Sequence, residues 1–231
     1  MLCRNAERGE ASRQSIIRET GNENVHLHKV DVSSIASVRD FADTFLAQNT
    51  KVDVLVNNAG ILPVERELSA DGMESCLAVA LCGTYLLTGL LLPALQAAAP
   101  SVVINVTSAG MYLAKCNVED LEMASRKDYD GFLQYCRVKR AQVELSEAFA
   151  ERFSAKTGVS FHAMHPGYAV TPGVQQLPAF GAKDPGGFFK QHGEALRSAA
   201  QGADTISWMA SAPCVRASSG KLWFDRGCVV S

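Results

Sequence analysis

Several absences narrow what this 231-residue chain can do before any motif is considered. Its formal net charge is only -2, so charge gives no reason to expect binding to nucleic acid or to an anionic membrane. Residues 1–20 are rich in charge and contain no apolar core of a secretory signal. Metal-ligating side chains do not cluster, and His26 and His28, two apart on a predicted strand, are expected to pack rather than bind metal. Nucleic-acid-binding, secreted and metal-hydrolase classes are therefore disfavoured.

Paired cysteines are also missing. The sequence has seven cysteines, an odd number, and none of them forms a C-x-x-C pair. They are Cys3, Cys76, Cys82, Cys116, Cys136, Cys214 and Cys228. Scattered, unpaired cysteines are typical of a reducing compartment, so we expect an intracellular, cytoplasmic protein.

The chain has no uninterrupted apolar run of membrane-spanning length. The strongest candidate, residues 81–95, is shorter than the ~20 residues that a spanning helix needs. Gly83, Gly89 and Pro93 interrupt it. The pattern predicts a helix that is buried or faces another subunit, and no membrane span.

A glycine-rich turn of the form G-x-x-x-G-x-G does not occur anywhere in the chain. Such a turn, followed by a helix, presents backbone N–H groups to a phosphate. The 18 glycines are spread over the sequence instead. The chain therefore offers no phosphate cradle of this kind.

What the sequence does contain is an alternation of short β-type runs and longer helical patterns. Strands are predicted at residues 25–32, 52–56, 102–106, 159–164 and 221–224, and helices at 7–19, 34–48, 70–98, 130–154 and 202–210. This order predicts an α/β fold with a Rossmann-like, doubly wound parallel sheet in one domain over residues 1–231. Polar motifs follow three of the strands, at the edge where such sheets bind ligands.

Tyr135 and Lys139 stand four apart in a helical segment, so their side chains share one face. A nearby ammonium is expected to lower the pKa of a phenol, which would let Tyr135 exchange a proton with a carbonyl or alcohol near neutral pH. An ordinary surface pair is the simpler interpretation of this spacing alone. Ser108, just after a strand, either donates to a substrate oxygen or only turns the chain.

Two further strand ends carry candidate ligand-binding residues. Asn57, Asn58 and Gly60 form a small-residue turn that permits close backbone approach to a ligand. Asp31 ends its own strand and either meets an adenine edge or belongs to the helix start before Ser34.

Four motifs in this order, VDVLVNNAG, VVINVTSAG, YCRVK and HPGYAVTPG, resemble the short-chain dehydrogenase/reductase family. The resemblance covers residues 1–231, and the long spacing from Ser108 to Tyr135 is similar to the retinol-dehydrogenase-like branch. It implies an NAD(P)H-dependent oxidoreductase that transfers a hydride between nicotinamide and a small-molecule carbonyl or alcohol.

The resemblance also implies roles for individual residues. Tyr135 would be the general acid/base, Lys139 would bind the nicotinamide ribose, and Ser108 would orient the substrate carbonyl. Arg4 would meet the 2′-phosphate of NADP, which gives NADP a mild preference over NAD, or it would be an ordinary solvated residue near the chain terminus. The other cofactor contacts would be Asp31, Val32, Asn58, Ala59 and Gly60 on the adenosine side, and Pro166, Gly167, Ala169 and Thr171 along the nicotinamide.

The chain departs from the family pattern in two places. The match starts where the family has completed its first βα unit, so the sheet is expected to lack that unit and most of the second strand, and cofactor binding by the chain alone is expected to be poor. The strand at 52–56 would have a bare edge, unless the strand at 25–32 moves across to pair with it. Ala80 stands where the family has an asparagine that holds a water in a proton relay with the lysine.

Two functions remain open at this point. One is a carbonyl reductase or alcohol dehydrogenase that forms a homo-oligomer when complete. The other is a catalytically inactive, truncated relative that acts as a binding or interaction protein. Residues 179–193, rich in glycine and phenylalanine, predict either a mobile flap over a lipophilic substrate or an ordinary surface insertion.

Overall fold

A computed structural model describes residues 1–171 and 193–229. The strands are β1 (Leu2–Cys3), β2 (His28–Lys29), β3 (Val54–Asn57), β4 (Ser101–Val106), β5 (Val159–Met164), β6 (Tyr168–Ala169), β7 (Leu196–Arg197), β8 (Lys221–Phe224) and β9 (Gly227–Val229). The helices are α1 (Ala6–Thr20), α2 (Ile35–Gln48), α3 (Ser75–Leu77), α4 (Gly83–Ala97), α5 (Gly131–Phe149), α6 (Ala155–Thr157), α7 (Ala199–Ser211) and α8 (Pro213–Arg216). A π-helical turn, Ala78–Cys82, joins α3 to α4, and a second, Ala150–Ser154, joins α5 to α6.

The central sheet has five strands in the order β3-β4-β5-β8-β9. All neighbours are parallel except β9, which runs antiparallel to β8 and was not predicted. Helices cover both faces, because alternate residues of the buried strands point to opposite sides. Val103 and Phe161 pack against α4 and α5, whereas Val102 and Ile104 pack against α7 and α8. The predicted α/β class and parallel sheet are confirmed.

The N-terminal part of the predicted sheet is much reduced. The strand predicted at residues 25–32 forms only β2, and β2 pairs in parallel with β1 in a separate two-stranded sheet. Neither strand is hydrogen-bonded to β3, so the direct pairing of 25–32 with 52–56 does not occur in the described structure. The outer edge of β3 therefore has no neighbouring strand among the described residues, and Val56 on it is 37% exposed.

The apolar segment predicted at 81–95 belongs to a longer helix. By length and composition alone, Ser75–Ala97 is the one helix of the described part that could cross a membrane. In the fold, 61% of its most apolar window is buried, and its side chains pack on β3, β4 and α2. The helix thus has the packing of a core helix, as its glycines and proline suggested, although its length exceeds that of the apolar run.

Candidate active site

The carboxyl end of β4 positions the first candidate residue. Ser108 lies two residues beyond the strand and caps a 3₁₀ turn, where its hydroxyl oxygen accepts a hydrogen bond of 3.2 Å from the Gly110 N–H. The Ser108 hydroxyl is also hydrogen-bonded to the Tyr135 hydroxyl. The strand end and α5 thereby bring together two of the three residues that the sequence analysis selected.

Helix α5 carries the other two residues on one face. The Asp130 side chain caps its N-terminus by accepting a hydrogen bond from the Leu133 N–H. Gly131 is required at the first turn, because a Cβ there would lie 1.9 Å from the Pro63 carbonyl oxygen. One turn into the helix, the Lys139 Nζ lies 5.6 Å from the centre of the Tyr135 ring.

Lys139 is held inside the protein with only 3% of its surface exposed. Its ammonium donates hydrogen bonds of 2.9 Å to the Val106 carbonyl and 2.9 Å to the Gln142 side-chain oxygen. Burial lowers the pKa of Lys139 to about 8, because the charged form loses its hydration. Two of its three N–H groups are thus committed to acceptors within the described chain, which leaves one for a ligand.

The protonation of Tyr135 differs from the expectation. Burial of the hydroxyl raises the pKa of Tyr135 to about 12, and the hydrogen bond from Ser108 opposes that rise. The expected lowering by Lys139 does not occur, because the ammonium lies 5.6 Å from the ring and donates instead to Val106 and Gln142. In this state Tyr135 holds its proton at neutral pH.

The turn after β3 meets Lys139 directly. A Cβ at Gly60 would lie 3.3 Å from the Lys139 Nζ, so the small residue predicted for close approach to a ligand lies against the lysine. Asn58 and Ala59 are exposed. Asn57, by contrast, is buried, and its side chain donates to Asn105 and Thr88, so its role is to join β3 to β4 and α4.

The adenosine-side residues lie near the reduced N-terminal sheet. The Asp31 carboxylate accepts from the Ser33 N–H at 3.0 Å and from the Ser33 hydroxyl at 2.6 Å, which is the helix-start role left open by the sequence. The backbone of Val32 packs directly against α4 at Gly83, since a Cβ on Gly83 would lie only 2.2 Å from the Val32 carbonyl oxygen. Arg4 lines a cavity of about 260 Å³ together with Ser33 and residues that include Ile61, Ser75 and Val79.

The nicotinamide-side residues lie beyond the end of β5. Ala169 lies in β6, and the turn before it contains Pro166 and Gly167, whose φ is +71°. Helix α7 packs closely here, since a Cβ on Gly202 would lie 2.8 Å from that of Ala169. Thr171 ends the first described range; the predicted flap at 179–193 lies outside the described residues except for its last position.

A larger cavity of about 750 Å³ opens beside this turn and beside Ala109, the neighbour of Ser108. Both polar and apolar residues line this cavity. Besides Ala109 they are His165, Gly167, Tyr168, Ala195, Leu196, Arg197, Ala200, Gln201, Asp204, Phe224 and Asp225. The Arg197 guanidinium binds the Asp225 carboxylate with both of its terminal nitrogens. This space, next to Ser108 and the Gly167 turn, is the candidate substrate chamber.

Three features of the site were not singled out from the sequence. The imidazole of His165 stacks on Phe224 with ring centres 4.3 Å apart, and its buried Nδ1 has no partner among the described residues. Gln142 binds Lys139 from the next turn of α5. Glu74, fully buried, accepts from Tyr129 and Gln134 and holds the segment before α5 in place. Polar residues on the buried face of a helical pattern were the available signal for Gln134 and Gln142.

These residues fit two parts of a nicotinamide dinucleotide. The remaining N–H of Lys139 suits a ribose hydroxyl, and the Arg4 cavity offers a guanidinium and serine hydroxyls to an adenosine phosphate. For the pyrophosphate the described residues offer no counterpart, because the G-x-x-x-G-x-G turn is absent from the sequence and the N-terminus of α1 is capped by the Asn5 side chain.

A family model of the short chain dehydrogenases matches residues 1–180. The chain belongs to this family. Short-chain dehydrogenases are NAD(P)-dependent oxidoreductases, so the predicted class of enzyme and its Rossmann-like fold are confirmed. The site residues are not individually tested by these matches and remain predictions.

Curated members of the short-chain dehydrogenase family cover most of the chain. Human dehydrogenase/reductase SDR family member 12 is 40% identical over 227 residues, which are 98% of this chain and 68% of the relative. Human retinol dehydrogenase 12 is 33% identical over 97% of this chain and 69% of its own length. These relatives support a hydride-transfer oxidoreductase and leave its substrate open.

Solved short-chain dehydrogenase structures share the fold. An uncharacterised protein from Mycobacterium paratuberculosis superimposes with a TM-score of 0.72 and 29% identity, over 96% of this chain and 69% of the other. L-Sorbose reductase from Gluconobacter frateurii, solved with NADPH and L-sorbose, gives a TM-score of 0.74 at 20% identity, over 96% and 83% of the two chains. At that identity the second match bears on the fold alone.

Proposed function

We propose that this chain carries the proton-transfer site of an NADP-linked oxidoreductase that acts on the carbonyl or alcohol group of a lipophilic small molecule. The observation that carries the proposal is the meeting of Ser108, Tyr135 and Lys139 at the carboxyl end of β4, with Lys139 fully buried. Two residues with a structural role only give no reason for a buried Lys139 ammonium next to the Val106 carbonyl at the end of β4. Nor do they explain why the nearby Tyr135 hydroxyl is bonded to Ser108.

The chemistry of the site divides between the cofactor and the chain. NADPH, when bound, supplies the hydride. Tyr135 supplies the proton from its hydroxyl to the substrate oxygen, and Ser108 donates a hydrogen bond that fixes that oxygen. In the described state Tyr135 carries the proton that reduction of a carbonyl requires, and its raised pKa makes it a weaker acid than a free tyrosine.

Three observations support the choice of NADP and of a lipophilic substrate. NADP is preferred because Arg4 lines the cavity of Ser33 and Val79, and a planar guanidinium suits a phosphate monoester. A lipophilic substrate is supported by Tyr168, Leu196 and Phe224 in the large cavity. Its charged residues are already in ion pairs, Arg197 with Asp225 and Asp204 with Arg226. Retinol dehydrogenases among the relatives act, by their name, on a lipophilic alcohol.

The test is to replace Tyr135 by phenylalanine and to measure NADPH-dependent carbonyl reduction. Turnover is followed for the 231-residue chain and for a version that carries a glycine-rich βα unit ahead of Met1. In a form that turns over, Tyr135→Phe should remove nearly all activity and leave NADPH affinity close to unchanged. Lys139→Met should lower both turnover and NADPH affinity, because Lys139 is proposed to bind the nicotinamide ribose and also lies beside Tyr135. Tyr129→Phe is the matched control, because the Tyr129 hydroxyl donates to Glu74 and contacts none of Ser108, Tyr135 and Lys139 in the hydrogen bonds of the described structure. Activity that persists in Tyr135→Phe rules out the assignment.

A second candidate is a catalytically inactive relative that acts as a binding protein. The absent glycine-rich turn, the alanine at position 80 and the unpaired outer edge of β3 in the described sheet favour it. A strand from a partner would pair with such an edge. Failure of the extended version to reduce any carbonyl, despite binding NADPH, would support this candidate over the first.

We also infer a homo-oligomeric and cytoplasmic protein. The outward face of α4 presents Tyr85, which is 60% exposed, beside Gly89 and Pro93, and an apolar helix face of this kind suits a second copy. All seven cysteines are free thiols in the structure, which supports a reducing location. Cell fractionation that recovers the protein in an oxidising compartment would contradict the second inference.

A further inference from the structure

Gln142 forms a bridge between two parts of the site that no other described side chain joins. Its Nε2 donates a hydrogen bond of 2.6 Å to the Ala80 main-chain carbonyl. Its Oε1 accepts one of 2.9 Å from the Lys139 ammonium. Gln142 and Ala80 are both 0% exposed, so the bridge lies wholly inside the protein.

The orientation of this amide is fixed by its neighbours. A carbonyl oxygen can only accept, and an ammonium can only donate, so the amide nitrogen must face Ala80 and the amide oxygen must face Lys139. The π-helical turn Ala78–Cys82 places the Ala80 carbonyl toward α5, where it also accepts from the Thr84 hydroxyl. The side chain of Ala80 itself contributes no polar group.

We propose that Gln142 is a positioning residue for Lys139: its amide fastens the lysine to the Ala80 carbonyl, in the place where the family resemblance implies a water held by asparagine. An amide held at both ends neither leaves room for that water nor passes protons along the chain as water does. Lys139 is therefore held by fixed neutral partners, Gln142 and the Val106 carbonyl, and its third N–H remains for a ligand. This inference rests on the proposed function, because the position of Lys139 matters for turnover only if Lys139 acts.

The test measures Lys139 in the 231-residue chain itself, without cofactor. The pKa of its ammonium is followed by NMR of lysine labelled at Cε, starting from a value that burial lowers to about 8. The titratable groups facing Lys139 in the described structure are Tyr135 on its own helix and Cys76 on α3. Neither changes in the variants, so a shift reports on Gln142.

Two substitutions of Gln142 should move that pKa in opposite directions. Gln142→Met keeps the size and removes the acceptor, so the Lys139 pKa should fall by about one pH unit. Gln142→Glu places a negative charge beside the ammonium, so the Lys139 pKa should rise by about 1–3 pH units. A purely structural role of Gln142 would not produce opposite signs. If Gln142→Met fails to fold, the glutamate variant still decides the direction.

Gln134→Met is the matched control. Gln134 lies on the same helix, is equally buried, and donates to Glu74 and Leu121, away from Lys139. Glu74 keeps the Cys76 and Leu77 N–H groups and the Tyr129 hydroxyl as donors, so this variant is expected to fold. A Lys139 pKa that is unchanged in both Gln142 variants, or that moves equally in Gln134→Met, overturns the proposal.

A second arm separates this inference from the proposed function. In a version that turns over, Gln142→Met should raise the KM for NADPH more than it lowers kcat, because Lys139 is misplaced but Tyr135 remains. If Tyr135→Phe keeps its activity while the NMR shifts appear, the proposed function fails and the bridge stands. If Tyr135→Phe is inactive and the NMR shifts are absent, the bridge alone is wrong.

Discussion

Two parts of the molecule differ in how much sheet they contain: a complete side around β4 and β5, and a reduced side around β1 and β2. Strands β4 and β5 pair over six residues each, from Ser101↔Val159 to Val106↔Met164, and every residue of both is buried. Strands β1 and β2 pair over two residues and are half-buried or exposed. The residues proposed to transfer the proton, Ser108 and Tyr135, belong to the first side. Arg4, Asp31 and Val32, which are expected to bind the adenosine half of the cofactor, follow β1 and β2 on the second. The proposed proton-transfer residues are therefore positioned by long, buried strands, whereas Arg4, Asp31 and Val32 are positioned by strands of two residues.

The largest expected effect comes from the complete side. Phe161 on β5 is 0% exposed and stacks on Phe149 at 5.3 Å, so Phe161→Ala should cost about 3–5 kcal/mol of unfolding free energy. On the reduced side, His28 packs edge-on against Phe41, and His28→Ala should cost only about 0.5–1.5 kcal/mol. Urea unfolding of both variants gives the comparison. Equal losses would show that the N-terminal side is as firmly built as the centre.

The next effect concerns cofactor affinity. Because residues 1–231 contain no turn of the form G-x-x-x-G-x-G, a pyrophosphate would lack the backbone N–H donors that such a turn provides. Two such charge-assisted hydrogen bonds correspond to on the order of 100-fold in affinity, so NADPH should bind the chain at least that much more weakly than a version with the turn added ahead of Met1. Fluorescence titration of NADPH measures both. Micromolar binding of NADPH by the 231-residue chain would show that the cofactor binds well without the G-x-x-x-G-x-G turn.

The two sides also differ in how well the sequence predicted them. The strands at 159–164 and 221–224 were both placed to the residue. The first is a run whose six residues are all buried, which is the pattern of a central parallel strand. The strand at 25–32 shrank to two residues, since its length depends on a neighbour that the sequence pattern does not contain. Motifs located Ser108, Tyr135 and Lys139, but the Tyr135 pKa depends on burial and on the competing partners of Lys139, which only the packing reveals.

Acid should weaken the complete side through His162, which is 0% exposed on β5. Its Nδ1 accepts from the Trp223 indole and the Lys221 N–H, so this nitrogen has no room for a proton. Burial lowers the pKa of His162, and also that of His165, below the ordinary value of 6.5. A lowered folded-state pKa gives stability that is complete above pH 6.5 and is lost as pH falls, by up to about 1.4 kcal/mol per pH unit for each histidine.

Urea unfolding at a series of pH values below 6.5, with histidine NMR titrations of the folded protein, tests this linkage. The His162 resonance should titrate below the range of a free histidine while stability declines. A His162 pKa at or above 6.5 would contradict the burial argument for β5.

The smallest effect is expected on α4, the helix that packs against both sides through α2 and β4. Gly89 lies on its outward face, and a Cβ there would meet no atom within 4 Å. Glycine inside a helix costs about 0.5–1 kcal/mol relative to alanine, so Gly89→Ala should stabilise an isolated monomer by that amount.

In a dimer through this face of α4, the methyl group added by Gly89→Ala would instead hold the two copies apart. The proposed homo-oligomer therefore predicts opposite signs: higher unfolding free energy at low protein concentration, and weaker association in sedimentation equilibrium. Wild-type protein that stays monomeric at micromolar concentration, with Gly89→Ala stabilised at every concentration, would show that this face of α4 is open to solvent and does not bind a second copy.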